Sequence, residues 1–355
     1  MMEYAHSAIK KIATEFEAPW WLPGGHVQTI WPALFSRRTR GAQPQFKRER
    51  WHTPDQDFVD VDWLCNDRPD ARCLLVMFHG LEGDSSSHYS LAFASLARDR
   101  GMAFAIPHFR GCSGEINLAP RAYHSGDFEE VGWMLERFKA AHSGPIVAVG
   151  VSLGGNALMR WAQEAGAQAG RLVQAVASVC SPLDLAASGH AISHGFNRMV
   201  YTRRFLNSMK PNALQKLAQY PGLFDRDAML AATDLHAFDN VVTAPLHGFK
   251  NTDDYWERAS AKPHMRKILI PALALNARND PFVPCDSLPL SGAVGEHVTL
   301  WQPNEGGHVG FPAGNFPGHV MNMPALVTDW LAQHVPIARQ AAKRHGPARH
   351  TESMN

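Results

Sequence analysis

A serine between two glycines, at the end of an apolar run, most constrains how this chain can fold. The apolar run at 145–149 leads directly into Gly150–Gly154 (GVSLG), and apolar residues at helical spacing follow from Asn156 to Gln163. A strand, a sharp turn and a helix in this order hold a serine hydroxyl where a base and amide N–H groups can reach it. We therefore predict that Ser152 is a nucleophile; an ordinary glycine-rich strand-to-helix turn is the alternative.

Short apolar runs alternate with helical patterns along most of the chain. The predicted strands are Phe46–His52, Phe58–Cys65, Cys73–Phe78, Met102–Ile106, Ile146–Val151, Val173–Cys180, Ile268–Leu275 and His297–Trp301, and further predicted helices are Tyr89–Arg100, Asp127–Ala141 and Met323–His334. The first two strands alternate apolar and polar residues, as exposed antiparallel edge strands do. The alternation predicts an α/β fold with a mostly parallel central sheet and helices on both faces.

The stretch from Ser181 to Pro263 interrupts this alternation. It is rich in His, Asn and Met and helical in pieces such as Asn212–Gln219 and Arg226–Ala232. Insertions of this length are usually lids or small modules, so we predict a cap; an elaborated crossover is the alternative. The predicted organisation is an aromatic N-terminal arm at 1–45, a core at 46–180 and 264–336, the cap at 181–263 and a polar, disordered tail at 337–355.

Charge, cysteine content and hydropathy exclude several classes of function. The 34 basic and 33 acidic residues give a formal net charge of +1, so we expect no nucleic-acid partner. The five cysteines include no C-x-x-C pair, and no acid follows His190 and His194 in the zinc-protease pattern, so we expect neither a metal nor a cofactor. Met1–Glu17 lacks the apolar core of a secretory signal and no run is long enough to span a bilayer, so we expect a cytoplasmic protein.

Two later strand ends supply the partners that a nucleophilic serine needs. In this architecture an acid and then a histidine follow the serine in chain order, on loops at the carboxyl ends of strands. Asp280 follows the apolar run that ends at Leu275, and His308 lies in a glycine-rich loop after His297–Trp301. We predict that His308 takes and returns the serine proton and that Asp280 orients the imidazole.

Other acids and histidines fit this order less well, because they lie before a strand, at its wrong end or further along the chain than needed. They are Asp253, Asp254, Asp286, His297 and His319. For Asp280 itself, the alternative is a turn residue in front of a proline.

Two backbone amides are candidates for binding a developing oxyanion. Leu153 directly follows the serine, and Leu81 lies in the loop His79–Gly83 after the strand Cys73–Phe78. The alternative interpretation of His79-Gly80, a tight turn at the end of the strand, is compatible with this role. We expect the Leu81 and Leu153 N–H groups to form an oxyanion hole. Loss of one such donor lowers the reaction rate by roughly 10²- to 10³-fold, so the loop matters as much as a catalytic side chain.

Several motifs together resemble a known family. They are Pro19–Thr29 (PWWLPGGHVQT), His79–Ser85 (HGLEGDS), Arg110–Gly114 with the nearby Asn117, the serine turn, and Asn279-Asp280-Pro281. From Pro19 to about Val335 the chain resembles the α/β-hydrolase family that includes bacterial YheT-type esterases and animal hydrolase-domain phospholipases. The resemblance implies the α/β-hydrolase fold and an ester hydrolase acting on acyl esters or lipids, with the charge relay on Ser152, Asp280 and His308. We expect no amino-terminal membrane anchor like that of the animal members, so carboxylester hydrolysis is the expected activity.

Three functions stay open on such a fold. Besides ester hydrolysis through an acyl-enzyme, they are acyl transfer to an acceptor other than water and binding without catalysis. The expected partner is a small-molecule ester or lipid. The aromatic arm with Trp20, Trp21, Trp31 and Phe35 has two interpretations: it packs on its own domain, or it makes transient contact with a membrane surface.

Overall fold

An eight-stranded sheet forms the centre of the protein. The computed structural model describes residues 16–65 and 73–336; the predicted tail at 337–355 and most of Met1–Glu17 lie outside these residues. The strands are β1 (Phe46–His52), β2 (Phe58–Leu64), β3 (Leu74–Phe78), β4 (Ala103–Pro107), β5 (Ile146–Val151), β6 (Val176–Val179), β7 (Ala272–Leu275) and β8 (Val298–Trp301). They lie in the order β1-β2-β4-β3-β5-β6-β7-β8; β3 to β8 pair parallel with one another, and β2 runs antiparallel to both of its neighbours, β1 and β4. The predicted α/β fold with a mostly parallel sheet is confirmed.

Helices cover both faces of this sheet. They are α1 (Gly24–Leu34), α2 (His88–Asp99), α3 (Phe128–Ala141), α4 (Leu153–Ala165), α5 (Ala169–Leu172), α6 (Leu185–Ile192), α7 (Gly195–Asn197), α8 (Arg203–Gln219), α9 (Arg226–Ala231), α10 (Leu235–Val241), α11 (Thr243–Leu246), α12 (Thr252–Ala259) and α13 (Asn322–Ala332). α3 and α4 pack on one face, α2 and α13 on the other. Leu74, Val76 and Phe78 of β3 enter the first apolar layer, while Leu75 and Met77 enter the second. Because such strands are buried on both faces, their sequences are continuous apolar runs.

The second strand differs from its prediction. β1 and β2 pair antiparallel as expected, but of these two strands only β1 lies at an edge of the sheet, and β2 is almost entirely buried. The carboxylates of Asp60 and Asp62 on β2 are covered by arginines of β1. Arg50 donates two hydrogen bonds to Asp60 and Arg48 donates two to Asp62, at 2.7 to 2.9 Å. The polar residues that suggested exposure of β2 are buried carboxylates, each paired with an arginine that remains partly exposed.

The chain between β6 and β7 is almost entirely helical. α6 to α12 lie there, together with a π-helical turn at Arg198–Thr202. The helix predicted at Asn212–Gln219 is the second half of α8, and the one predicted at Arg226–Ala232 is α9. Six buried apolar residues of these helices pack together: Leu206, Ala213, Met229, Ala232, Phe238 and Val242. Among the described residues, none of the helices combines the length and the apolar character needed to cross a bilayer.

Candidate active site

Ser152 lies in a strained turn between β5 and α4. Its φ is 53° and its ψ is −120°, a backbone conformation that non-glycine residues rarely adopt. The turn needs glycine on both sides of the serine, because the neighbouring backbone leaves no space for a Cβ at Gly150 or Gly154. A Cβ on Gly150 would collide with the backbone of Gly154, and one on Gly154 would collide with the carbonyls of Phe78 and His79. The serine side chain is thus held out of the helix at the carboxyl edge of the sheet.

The structure brings Ser152, His308 and Asp280 together. His308 Nε2 lies 3.1 Å from Ser152 Oγ, and His308 Nδ1 lies 2.9 Å from Asp280 Oδ2. The other oxygen of Asp280 accepts from the Phe282 N–H at 2.8 Å. The Phe282 ring stacks on the imidazole with a centroid distance of 4.0 Å. One imidazole therefore contacts both the serine hydroxyl and a buried carboxylate.

The inward side of α1 fixes the histidine loop. Thr29 Oγ1 accepts from the His308 N–H at 2.8 Å and donates to the Gly25 carbonyl at 2.7 Å. Gln28 Oε1 accepts from the Gly306 N–H at 2.9 Å and from Asn279 Nδ2 at 2.8 Å. One helix thus holds the loop that carries His308 and the loop that carries the acid.

Sequence reasoning missed Gln28 and Thr29 as supports of the site. Both residues belong to the motif Pro19–Thr29, which carried the family resemblance but received no role. Two polar residues side by side, with His26 as the other polar side chain of Gly24–Leu34, were the available signal.

The two amides predicted to bind an oxyanion lie beside the serine. Leu153 is the first residue of α4, where amide N–H groups have no acceptor within the helix. Leu81 lies in the turn after β3, which the Gly83 N–H closes by donating to the Gly80 carbonyl at 2.9 Å. Leu81 and Leu153 line the same cavity as Ser152.

Two tyrosine hydroxyls fix the amides on either side of Leu81. Tyr89 accepts from the Gly80 N–H at 3.0 Å, and Tyr123 accepts from the Glu82 N–H at 2.9 Å. Burial raises the pKa of Tyr89 to about 12, so its hydroxyl stays protonated at neutral pH. Both neighbours of Leu81 are therefore anchored to side chains of the core.

His79 fixes the same turn through a single tautomer. Its Nε2 accepts from the Phe109 N–H at 3.0 Å, so the proton lies on Nδ1, which donates to the Gly80 carbonyl at 2.8 Å. Complete burial, with a smaller effect from neighbouring His108, lowers the pKa of His79 to about 3. The imidazole is therefore neutral at physiological pH, and its two hydrogen bonds hold the turn after β3 against the backbone at Phe109.

A mostly apolar cavity of about 180 Å³ includes Ser152 and His308 in its lining. Loops at the carboxyl edge of the sheet form one side, and the helices between β6 and β7 form the other. The apolar lining includes Leu81, Leu153, Phe282 and Val283 from the carboxyl edge of the sheet, and Leu185, Ile192, Phe205, Met209, Phe224, Leu235, Phe238, Val242 and Leu246 from the chain between β6 and β7. Such a cavity suits an apolar chain better than a charged group.

The carboxyl group of Glu82 faces this cavity. Its side chain accepts from the Tyr123 hydroxyl at 2.9 Å and from Asn212 Nδ2 at 3.1 Å. Burial raises the pKa of Glu82 above its ordinary value, while the hydrogen bond from Tyr123 opposes that shift. Because Asn212 lies on α8, Glu82 connects the turn at Leu81 to the helices between β6 and β7.

Three donor atoms near the serine are close enough to share a metal ion. Within the described part of the chain, Cys180, Asp280 and His308 form the one such group, with donor atoms within 4.8 Å of one another. Metal binding needs a thiolate, but burial and the nearby Asp280 hold the pKa of the Cys180 thiol well above its usual range. The sulfur instead accepts from the Val309 N–H at 3.3 Å. The donor set therefore fits a protein hydrogen-bond network better than a metal site.

Comparison with known proteins identifies the class. A model described as the alpha/beta hydrolase fold matches residues 74–314, and the chain belongs to that family. The chain is 36% identical over 314 residues to the Escherichia coli (strain K12) protein named "Putative esterase YheT", covering 87% of this chain and 91% of that protein. It is 26% identical over 281 residues to phospholipase ABHD3 of Homo sapiens, covering 77% of this chain and 68% of that protein. The predicted family is confirmed.

A solved structure gives the same fold. Est1E from Butyrivibrio proteoclasticus superposes with a TM-score of 0.51, covering 82% of this chain and 99% of that one, at 14% sequence identity. The predicted α/β-hydrolase fold is thereby confirmed independently of close sequence similarity.

Proposed function

We propose that this protein hydrolyses carboxylic esters through an acyl-enzyme intermediate on Ser152. The observation that carries the proposal is the position of His308, whose ring lies 3.1 Å from the serine oxygen and 2.9 Å from the Asp280 carboxylate. Ser152 Oγ attacks the ester carbonyl carbon while His308 Nε2 takes the hydroxyl proton. Asp280 stabilises the resulting imidazolium, and the N–H groups of Leu81 and Leu153 bind the oxyanion.

Collapse of the tetrahedral intermediate completes acylation, and attack by water then completes deacylation. The bond from carbon to the leaving oxygen breaks, and His308 returns its proton to the departing alcohol, which leaves the acyl group on Ser152. Water attacks this second ester while His308 takes a proton from it. The bond between the acyl carbon and Ser152 Oγ then breaks, the carboxylic acid leaves, and His308 returns the proton to the serine oxygen.

The cavity supports an acyl ester or a lipid-like ester as the substrate. Its lining is mostly apolar and includes the serine, so an acyl chain bound there places its carbonyl at the nucleophile. The residues at 181–263 act in this proposal as a cap over the core. The names of two relatives, phospholipase ABHD3 and monoacylglycerol lipase ABHD2, are consistent with such substrates.

Hydrolysis of p-nitrophenyl esters and labelling by a fluorophosphonate probe test the proposal. We expect wild-type protein to be active and labelled, and Ser152→Ala to lose both properties, because the probe forms a bond to an activated serine. Ser291→Ala, an exposed serine in the loop before β8, is the matched control and should behave as wild type. Equal activity of Ser152→Ala and wild type would rule out this mechanism.

A further inference from the structure

The amphipathic pattern of α1 is inverted relative to an ordinary surface helix. Its buried residues are Gln28, Thr29 and Pro32, two of which are polar. Its opposite side carries Val27, Ile30, Trp31 and Leu34, at the i, i+3, i+4 and i+7 positions of one helical face. Val27 is 40% exposed and Leu34 52% exposed. The helix therefore turns hydrogen-bonding groups inward and apolar groups outward.

Neighbouring residues extend this apolar surface. Trp20 is 91% exposed, Phe35 57% and Phe316 71%. Trp31 contacts both phenylalanine rings, with centroid distances of 4.7 Å to Phe35 and 5.5 Å to Phe316. The outward residues of α1 together with Trp20, Phe35 and Phe316 are called the α1 face below. Exposed apolar surface of this extent on a folded protein usually marks an interaction site.

The surface continues onto the helices between β6 and β7. The His26 ring of α1 contacts the Phe196 ring at a centroid distance of 4.6 Å. Phe196 is 47% exposed, and nearby Met199 is 67% exposed. Two segments that are far apart in sequence therefore present apolar groups next to each other.

The charge around the α1 face is mainly positive; Glu305 is an exception, since its carboxylate accepts from the Ala18 N–H at 2.8 Å and from Gln28 Nε2 at 3.3 Å. The segments 18–45, 185–224 and 306–328, which supply this surface, contain no aspartate or glutamate, although the whole chain has nearly equal numbers of acids and bases. They carry six arginines: Arg37, Arg38, Arg40, Arg198, Arg203 and Arg204. A cationic rim around an apolar, tryptophan-bearing surface matches an anionic lipid surface.

A short chain of contacts joins the α1 face to the serine site. His26 Nδ1 lies 3.1 Å from the Tyr201 hydroxyl, and the Tyr201 ring contacts Phe282 at a centroid distance of 4.5 Å. Phe282 stacks on His308. The inward side of the same helix binds the His308 loop through Thr29. The apolar surface and the nucleophile therefore lie on neighbouring parts of one edge of the protein.

We propose that the α1 face docks on anionic phospholipid bilayers and presents the serine site to acyl esters that reside in them. The second half of this statement rests on the proposed ester hydrolysis; the docking does not. A second copy of the chain is a poorer occupant, because a symmetric contact would place two arginine-rich rims against each other. An anionic bilayer covers the apolar groups and also neutralises the rim.

Vesicle co-sedimentation tests the docking. We expect wild-type protein to bind phosphatidylcholine vesicles that contain phosphatidylserine more tightly than vesicles of phosphatidylcholine alone, with added salt reducing the difference. A triple variant, Trp20→Ser, Leu34→Ser and Phe316→Ser, should bind on the order of 10- to 100-fold more weakly, because three exposed apolar groups no longer enter the bilayer. Its hydrolysis of a water-soluble p-nitrophenyl ester should be unchanged, which shows that the site is still folded.

Two matched variants define the chemistry of the contact. Leu290→Ser replaces a leucine that is 74% exposed in the region before β8 and should leave vesicle binding unchanged. Arg203→Glu with Arg204→Glu should weaken binding to the mixed vesicles by roughly tenfold or more and have little effect on neutral ones.

The remaining outcomes decide whether a bilayer or a second copy of the chain covers the α1 face, and they separate the docking proposal from the proposed ester hydrolysis. Equal vesicle binding by the triple variant and wild type would overturn the docking proposal, as would a wild-type dimer in light scattering that the triple substitution abolishes. Ser152→Ala should bind vesicles as wild type does. Vesicle binding without fluorophosphonate labelling of the wild type would refute ester hydrolysis and leave the docking standing.

Discussion

The backbone at Ser152 depends on small neighbours. Its positive φ places the hydroxyl outside α4, and the turn brings Gly154 against the carbonyls of Phe78 and His79 at the end of β3. The packing that holds Ser152 therefore also fixes the distance between β5 and the turn that contains Leu81.

Replacing Gly154 with alanine tests this packing. We expect Gly154→Ala to lower the free energy of unfolding by about 2–4 kcal/mol, because its Cβ would overlap backbone atoms that cannot move independently. Denaturant unfolding measures the change. Gly292→Ala is the matched control, since that glycine has open space at its Cβ and no positive φ. Similar small losses in both variants would show that the turn is less tightly packed than the structure indicates.

Thr29 is expected to act on the reaction through His308. In Thr29→Val the His308 N–H and the Gly25 carbonyl both lose their hydrogen-bond partner. We expect kcat for ester hydrolysis to fall roughly 10- to 100-fold with little change in KM, because a small displacement of the base affects the transition state more than substrate binding. The rate of fluorophosphonate labelling should fall in parallel.

A control separates this positioning role from general destabilisation. Thr39→Val, in the loop after α1, should leave kcat unchanged. A lower melting temperature in Thr29→Val with normal kcat would mean that Thr29 contributes only to stability.

Residues at the site differ in how far sequence could predict them. Ser152, Asp280 and His308 each follow an apolar strand, and the order of these strand ends is a local pattern. The roles of Gln28 and Thr29 depend on partners 251 and 279 residues away, Asn279 and His308. No local pattern reports such a contact, so these residues emerged only from the fold.

Secondary-structure elements also differ in whether a local sequence pattern is enough to predict them. The parallel strands were predicted because burial on both faces produces continuous apolar runs. β2 was predicted as exposed because its carboxylates alternate with apolar residues, yet the arginines that bury Asp60 and Asp62 lie on β1. The burial of a charged residue thus depends on which strand lies beside it.

Two helices between β6 and β7 are joined through one carboxyl group. Asp239 of α10 accepts from the Thr243 hydroxyl at 2.6 Å and from Trp256 Nε1 of α12 at 3.0 Å. Burial raises the pKa of Asp239 from 3.8 to about 6, and these hydrogen bonds only partly oppose the shift. Because the folded-state pKa is the higher one, the stabilising contribution is fully present below about pH 4 and is lost as the pH rises through about 6.

This linkage predicts a stability change with pH. Between about pH 4 and pH 7 the titration of Asp239 should lower the wild-type free energy of unfolding by about 2–3 kcal/mol, and this pH-dependent loss should disappear in Asp239→Asn. Denaturant unfolding at several pH values measures the difference between the two proteins. Asp227→Asn, which replaces a highly exposed carboxylate on α9, should keep the wild-type profile. The same profile in Asp239→Asn would contradict the assignment.

At the scale of the whole molecule, the cavity exists only because two parts of the chain face each other. Loops at the carboxyl edge of the sheet contribute the serine, and the helices at 181–263 contribute much of the apolar lining. If the protein hydrolyses esters as proposed, the preferred substrate length should therefore depend on residues far from Ser152, His308 and Asp280. The sequence predicts an insertion at 181–263, but the volume of the cavity depends on packing between these two parts.

A series of p-nitrophenyl esters from acetate to octanoate tests whether the helices at 181–263 set the preferred acyl-chain length while the loops at the sheet edge carry out the reaction. We expect kcat/KM to rise roughly fourfold for each added methylene that enters the cavity, since burial of a CH₂ contributes about 0.8 kcal/mol. Val242→Trp places a larger side chain in the lining on the helical side, so the rise should stop at a shorter chain. Acetate hydrolysis should remain near wild type, because the serine, histidine and aspartate are untouched. Leu269→Trp, at a half-exposed position outside the lining, is the control. An unchanged length optimum in Val242→Trp would mean that the acyl chain does not bind in this cavity, even if Ser152 is the nucleophile.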